Sequence, residues 1–223
     1  MFGLGGNKIK ENDVLNALKN VQDPDLHKDL VTLGMIKEIK IDGKNVSFTV
    51  ELTTPACPLK EKIENDCKNA VKESLPDVEE IKVNMTSKVT SFYSDNKTLK
   101  GVKNVIAIAS GKGGVGKSTV STNIALSLAS TGAKVGLMDA DIYGPTIPAL
   151  LNVKEQPEVT EDKKMIPIEK HGLKLMSIGF LLKGDEPVIW RGPMVAGVIQ
   201  QFLRDVDWGE LDYLLIDLPP GTG

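Results

Sequence analysis

Cysteine and histidine are scarce in this chain: two of each stand among 223 residues. Cys57 and Cys67 are too few for a disulfide-stapled fold. A reducing compartment, the cytoplasm, is therefore the expected location. His27 and His171 lie far apart and fit no zinc-ligand spacing, so both read as ordinary surface or hydrogen-bonding residues. Long apolar runs are missing too. The longest are about five residues, far short of a membrane span. The start, Met1-Phe2-Gly3-Leu4-Gly5-Gly6-Asn7-Lys8, lacks the apolar core of a secretory leader. A polybasic tract is absent and the net charge is −3, which argues against a nucleic-acid partner. There is no internal repeat and no low-complexity block. What is present is an ordinary globular composition, 41% hydrophobic and 26% charged, in a chain with room for one large or two small domains.

The most informative stretch is Ser110-Gly111-Lys112-Gly113-Gly114-Val115-Gly116-Lys117-Ser118-Thr119, which fits G-x-x-x-x-G-K-[ST]. Val105 to Ala109 before it reads as a buried parallel strand. Val120 to Ser130 after it reads as a helix with Val120, Ile124 and Leu128 on one face. The bare pattern arises by chance in about one chain of this length in a hundred. The strand–loop–helix context removes most of that background. The chemistry requires these residue types. Glycines carry no Cβ, so successive backbone N–H groups can close on phosphate oxygens, and the helix N-terminus adds unpaired N–H groups and a positive dipole end. Lys117 would set an ammonium on the β- and γ-phosphates of ATP, and the Ser118 hydroxyl would ligate Mg²⁺.

Two further strand ends carry carboxylates. Lys134 to Met138 reads as a strand that ends in Asp139-Ala140-Asp141, and carboxylates at that end of an open parallel sheet face the ligand side. One can hold a metal-bound water and the other can orient an attacking water. The plainer reading is capping of the chain after the strand. Leu211 to Ile216 is a second strong strand, and Asp217 at its end has the Walker B arrangement, suited to the hydration shell of Mg²⁺. Residues 152–172 are polar and read as a surface excursion. The stripe Met194, Val195, Val198, Ile199, Phe202, Leu203 and Val206 reads as a helix face packed on the sheet.

The first third reads as a separate small α+β domain in the order α, β, β, α, β. Val14, Leu15, Leu18 and Val21 make one helix face. Val46, Phe48, Val50 and Leu52 alternate with polar residues after the turn Asp42-Gly43-Lys44-Asn45. A second helix to about Leu75 carries Leu59, Ile63, Cys67, Ala70 and Val71, and Val78, Ile81 and Val83 suggest a third strand. Cys67, on an apolar helix face, reads as core. Cys57 stands just before Pro58, a good first helical residue, and a thiolate is favoured at a helix N-terminus. It reads either as a reactive exchange thiol or as a partly buried cap-region cysteine. Ten residues separate Cys57 from Cys67. That is about 15 Å along a helix, too far to share one cluster within a chain.

The loop with its early lysine, GKGGVGKS, resembles the deviant Walker A of the MinD/ParA/Mrp/nitrogenase-iron-protein class. The signatures Asp-Ile-Tyr-Gly-Pro-Thr (141–146), Ile-Trp-Arg-Gly-Pro-Met (189–194) and Asp-Leu-Pro-Pro-Gly-Thr-Gly (217–223) narrow the resemblance to the Mrp/ApbC-type iron–sulfur cluster carrier ATPases. Asp23-Pro24-Asp25-Leu26, Leu30 to Met35 and Thr53 to Pro58 resemble the Fe–S assembly domain often fused ahead of them. The resemblance implies an α/β protein: a P-loop NTPase parallel sheet over 103–223, incomplete at its C-terminal end, preceded by an α+β domain over 8–86 and a linker over 87–102. It implies ATP and Mg²⁺ bound by Gly111 to Thr119. Lys112 would reach across a homodimer to the other subunit's nucleotide, beside Lys117 in catalysis. It also implies Asp139 near Mg²⁺ with Ser118 and Asp217, and Asp141 positioning the water. Apo Fe–S client proteins and Fe–S assembly factors would be the partners, with no membrane and no nucleic acid. A 4Fe–4S cluster would be bound between subunits by a C-x-x-C pair beyond Gly223, with Cys57 a candidate auxiliary thiol. The chain is then expected to be a fragment whose strand 211–216 forms an open, apolar sheet edge. An ATP-driven positioning switch of the MinD/ParA kind is the alternative. Arg191 has no role assigned by packing.

Overall fold

The first helix, α1 (Glu11–Leu18), turns Val14, Ala17 and Leu18 to one side, and the Asp13 carboxylate accepts the Lys10 backbone N–H at its start. A short antiparallel pair follows, β1 (Gln22–Asp23) and β2 (Lys28–Asp29). The Asp23 carboxylate accepts the Leu26 N–H, three residues on, at 2.9 Å. Next come β3 (Ile36–Asp42) and β4 (Asn45–Leu52), an antiparallel hairpin closed by Gly43 and Lys44. Gly43 has φ 62°, the conformation that a II′ turn demands at its first central residue. Then α2 (Lys60–Ser74) carries the chain to β5 (Glu80–Ser87), which pairs parallel with β4, so the sheet order is β3-β4-β5. The alternation in β4 buries Val46, Phe48, Val50 and Leu52 against Ile63, Cys67 and Val71 of α2 and the α1 face. These are the apolar positions at period two and period 3.6. The computed structural model describes residues 9–24, 26–89, 99–181 and 192–221, with the backbone alone for 192–196. The chain divides into two units, up to Val89 and from Thr90.

Three expectations for this unit shift. The helix α2 begins at Lys60 with Leu59 as its N-cap, so Pro58 and Cys57 precede it rather than opening it. Val78 is buried in the turn before β5 and does not belong to the strand. The strand runs to Ser87, one residue into the segment read as linker.

The second unit is a five-stranded sheet. β6 (Val102–Ile108) leads into α3 (Lys117–Ser130) and then β7 (Val135–Asp139). After α4 (Ile147–Leu150) come β8 (Ile168–Lys170), β9 (Leu173–Ser177), α5 (Gly192–Asp205) and β10 (Leu211–Asp217). The order is β6-β10-β7-β9-β8, with all pairs parallel except β8–β9. That last pair is a hairpin turned by His171 and Gly172, both at positive φ, as a two-residue I′ turn needs. Successive side chains go to opposite faces. Val135, Leu137, Leu173, Leu175 and Leu215 meet Ala125 and Ile147 on the α3 side. Met138, Met176, Leu214 and Ile216 meet Phe202 and Val206 on the α5 side. Both faces are covered, which is why these strands read as continuous apolar runs.

Here the structure corrects the sequence reading in three places. β10 is not an edge: it lies between β6 and β7, bonded to both. The edges are β6 and β8, each of which among the described residues pairs on one side only. Second, of the apolar row expected on α3 only Leu128 packs, partly buried, against the sheet core. Ser121, Thr122 and Ala125 are buried, while Val120 is 51% and Ile124 39% exposed. The helix starts at the ends of the strands and lies over β7 and β10. Third, the excursion over 152–172 contains β8, and Met165 within it is buried and bridges to Val206. Trp190 and Arg191 lie outside the described residues, as do the side chains of Met194 and Val195.

One glycine gives a direct test of this packing. Gly101 has φ 83°, and a Cβ there would stand 2.5 Å from the Gly209 carbonyl oxygen. Its own carbonyl accepts the Leu211 N–H at 2.9 Å, where β10 begins. Backbone cannot move aside as a side-chain tip can. Gly101→Ala is expected to cost about 2 kcal/mol or more. Urea unfolding followed by tryptophan fluorescence reads it selectively, because both tryptophans, Trp190 and Trp208, belong to the second unit.

Candidate functional site

The glycine-rich loop and the ends of three strands meet at one end of the sheet. In the loop, Gly114 and Gly116 have φ of 74° and 89°, values that side-chain-bearing residues seldom adopt. Gly116 is the N-cap of α3, so Lys117 and Ser118 open a helix whose first N–H groups have no partner within it. A cavity of about 380 Å³ lies over the loop, lined among others by Gly113, Gly114, Lys117, Ser118, Thr119 and Asp141. Gly111, Lys112 and Val115 are exposed, as are Gly113, Gly114 and Gly116. The Ser110 hydroxyl donates to the Lys112 carbonyl, which holds the loop's first bend.

Register explains why the carboxylates gather. Asp217 of β10, Asp139 of β7 and Ser177 of β9 are paired neighbours in one row across the sheet. All three follow the parity of Leu215, Leu137 and Leu175, so they point to the α3 side. All three are fully buried. Asp217 Oδ2 accepts the Lys117 ammonium at 2.7 Å and the Ser118 hydroxyl at 2.6 Å, and Oδ1 accepts the Ser121 hydroxyl at 2.6 Å. The Lys117 ammonium is also 3.9 Å from Asp141 Oδ2. So Lys117, Ser118 and Asp141 of the expected set line one cavity, and the buried Asp217 bonds to the first two.

Asp139 is placed differently from the expectation. Its Oδ1 accepts the Asp141 N–H at 3.1 Å, and its Oδ2 accepts the Ile147 N–H at 3.3 Å and the Ser177 hydroxyl at 3.1 Å. It ties down both ends of the 141–147 loop and makes no hydrogen bond or ion pair with Lys117 or Ser118. Burial pushes its pKa up to about 7, with the Asp217 charge acting the same way and the three hydrogen bonds acting against. Ser177 in turn accepts the Gly179 N–H, so the row continues into the turn after β9.

Cys57 is half-buried against the core of the first unit, and its carbonyl accepts the Lys60 N–H at 3.4 Å. Cys67 is buried, and burial with Asp66 and Glu64 nearby pushes its thiol up to about 12. It is core, as its helix position predicts, and inert as a thiolate. Among the described residues no group of three or more His, Cys, Asp or Glu could hold a metal ion, and no helix is long and apolar enough to cross a membrane.

Ser121 and Ser177 escaped the sequence reading. Ser121 is three residues after Ser118 and four after Lys117, so the helix period put it on their face. Ser177 had no local signal, since its place depends on which strand lies beside β7.

A strand, a glycine loop, a helix N-terminus and a buried strand-end carboxylate in this arrangement define a P-loop NTPase domain. The family model described as NUBPL iron-transfer P-loop NTPase matches residues 101–223, and one described as iron-sulfur cluster assembly protein matches residues 11–83. The chain belongs to the iron-transfer P-loop NTPase family, with an iron–sulfur cluster assembly domain ahead of the NTPase part. An iron-sulfur cluster carrier protein of Synechocystis sp. is 53% identical over 216 residues, covering 94% of this chain and 61% of its own length. The chloroplastic Fe-S cluster assembly factor HCF101 of Arabidopsis thaliana is 47% identical over 223 residues, covering 97% of this chain and 41% of its own length. A nucleotide-binding protein from Archaeoglobus fulgidus, solved in complex with ADP, aligns with TM-score 0.50 and 46% identity over 57% of this chain and 49% of that one. The chain thus spans about three-fifths of the Synechocystis carrier.

Proposed function

We propose that this chain is the nucleotide-binding and docking portion of an ATP-dependent iron–sulfur cluster carrier. The observation that carries the nucleotide half is the convergence of Lys117 and Ser118, at a helix N-terminus, on the buried Asp217 carboxylate. The carrier half rests on the family and on the relatives' names. The loop from Gly111 to Thr119 binds the phosphates of ATP, with backbone N–H groups and Lys117 on the β- and γ-oxygens. The donor set fits Mg²⁺, a hard cation that takes oxygen ligands: Ser118 Oγ and Asp217 Oδ2 already lie 2.6 Å apart. Mg²⁺ there would neutralise charge developing on the phosphates. Asp141, at the cavity wall, orients the attacking water, and Asp139 holds the Asp141 loop from behind rather than ligating the ion.

Lys112 is exposed and acts in a second subunit of a homodimer. Exposed apolar groups near the loop, Val115, Tyr143 and Leu150, support a surface that a partner covers. Clusters of the 4Fe–4S type pass to apo Fe–S clients, with assembly factors as donors and the cytoplasm as the site of action. Cys57 is the thiol available for transient exchange, since Cys67 is buried.

The test has three arms. Calorimetry with Mg-ADP is expected to show binding to residues 1–223. In a dimer-competent full-length form, Lys112→Ala is expected to keep ATP affinity within about threefold and to slow hydrolysis at least about tenfold. Normal turnover would refute the cross-subunit role. Anaerobic reconstitution of residues 1–223 is expected to yield no stoichiometric cluster, because a 4Fe–4S cluster is commonly held by four thiolates. A full charge-transfer absorbance would overturn that.

A further inference from the structure

The Asp217 carboxylate is shared between two sides. Its Oδ2 faces the loop, where Lys117 and Ser118 donate to it; its Oδ1 faces away, toward Ser121. Ser121 Oγ lies 2.6 Å from Oδ1 and 3.0 Å from the Lys117 carbonyl oxygen. A hydroxyl has one proton, and both of these partners are acceptors. The short, charge-assisted bond to the carboxylate takes it. The carbonyl does not depend on it, because in an α-helix it already receives the N–H four residues on.

Packing does not ask for a hydroxyl at this place. Ala125, one turn further along α3 and on the same face, is fully buried and fills its place with a methyl group. Nor does β10 alone hold the carboxylate's plane. The strand fixes the Cα–Cβ direction through its bonds to β6 and β7. The terminal torsion of an aspartate is broad and roughly twofold, so the plane needs a partner of its own. Ser121 is that partner on the side away from the loop.

We infer that Ser121 is a positioning residue for the metal–nucleotide complex: through Asp217 it keeps one carboxylate oxygen aimed at the Ser118 hydroxyl, where Mg²⁺ binds. The inference rests on the nucleotide reading of the same site. It separates two parts of the binding. Contacts of the loop N–H groups with phosphate do not pass through Asp217, whereas the metal contact does. Removing the Ser121 hydroxyl therefore weakens binding of the metal complex and spares binding of the bare nucleotide.

The experiment titrates residues 1–223 calorimetrically with ADP, in Mg²⁺ and in EDTA, for the parent, Ser121→Ala and Ser121→Thr, with a thermal melt of each. Ser121→Ala is expected to bind Mg-ADP roughly tenfold more weakly, in the range typical of lost outer-shell partners. Its affinity for ADP in EDTA should stay within about twofold of the parent, and Ser121→Thr, which restores the hydroxyl, should recover most of the loss. Equal losses with and without Mg²⁺ would show that the hydroxyl serves only the folding of the loop, and would overturn the inference. Parental Mg-ADP affinity in Ser121→Ala would overturn it as well. If that variant does not fold, Ser121→Cys, close in size and a weak donor, carries the same expectation and the same refutation. A parent that binds ADP in neither buffer would instead refute the nucleotide reading itself, and this inference with it.

Discussion

Lys117→Ala is expected to abolish nucleotide binding and, at the same time, to destabilise the second unit of the nucleotide-free protein. The two effects have one origin. The Lys117 side chain is 7% exposed and that of Asp217 is fully buried, with the ammonium 2.7 Å from Oδ2. It is also 3.9 Å from Asp141. Without nucleotide, this lysine neutralises the carboxylate at the end of β10. With nucleotide it would turn to the phosphates. Truncation leaves Asp217 with two hydroxyl donors, Ser118 and Ser121, and no cation. Breaking a buried pair by removing one partner costs on the order of 3 kcal/mol. Loss of the positioned cation on the phosphates is expected to weaken Mg-ADP at least about a hundredfold, since charge-assisted contacts in a low-dielectric site are the strong ones. Calorimetry reads the first and tryptophan-monitored urea unfolding the second. Parental affinity in the variant would refute the assignment of the loop. Parental stability would show that the ion pair contributes nothing net to the empty site.

The second large effect is a pH dependence carried by Asp139. Its carboxyl has a folded-state pKa of about 7 against an ordinary 3.8, with burial as the main cause. Between those values the folded protein holds a proton that the unfolded chain has released. Stability from this group is therefore fully present below about pH 4 and is lost as pH rises through about 7. A shift of about three units caps the effect near 4 kcal/mol, and relaxation around a polar loop is expected to leave roughly half of it. The second unit of the nucleotide-free protein should thus lose about 1 kcal/mol of stability between pH 5 and pH 8, apart from the contributions of other groups. Asp139→Asn should remove that slope. Like the protonated acid, an amide offers a donor on one side and an acceptor on the other. The acceptor can keep the Asp141 N–H, and the donor can turn to the Ser177 hydroxyl, with the Ile147 N–H losing its partner. The variant is expected to be weaker than the parent at pH 5 and to equal or exceed it at pH 8. Parallel stability curves for the two proteins would sink the assignment of the slope to Asp139.

Much of the fold was legible because its determinants are local. The β3–β4 hairpin follows from the alternation of Val46, Phe48, Val50 and Leu52 and from a glycine at a turn that needs positive φ. The phosphate loop follows from glycines placed where φ is positive and from the lysine and serine that open α3. Asp139 and Asp217 were legible as strand-end carboxylates because the apolar runs of β7 and β10 stop at them. Cys67 was read as core from helix period alone, and it is buried.

What the sequence by itself determined, then, is the longer helices and strands, without β1, β2, α4 and β8, and the chemistry of the residue types at their ends. The tertiary structure decided which elements are neighbours. It put β10 between β6 and β7, so the edges are β6, the strand before the phosphate loop, and β8, and not the last strand. It turned Ser121, Thr122 and Ala125 of α3 inward and left Val120 and Ile124 outside. It aligned Asp217, Asp139 and Ser177 in one row, and so gave Asp139 to the loop and Ser121 to Asp217. The physical reason is that propensity and periodicity act over a few residues. Strand order and register are settled by hydrogen bonds and packing between segments tens of residues apart, as in Ser118 and Asp217, 99 positions apart and 2.6 Å from each other.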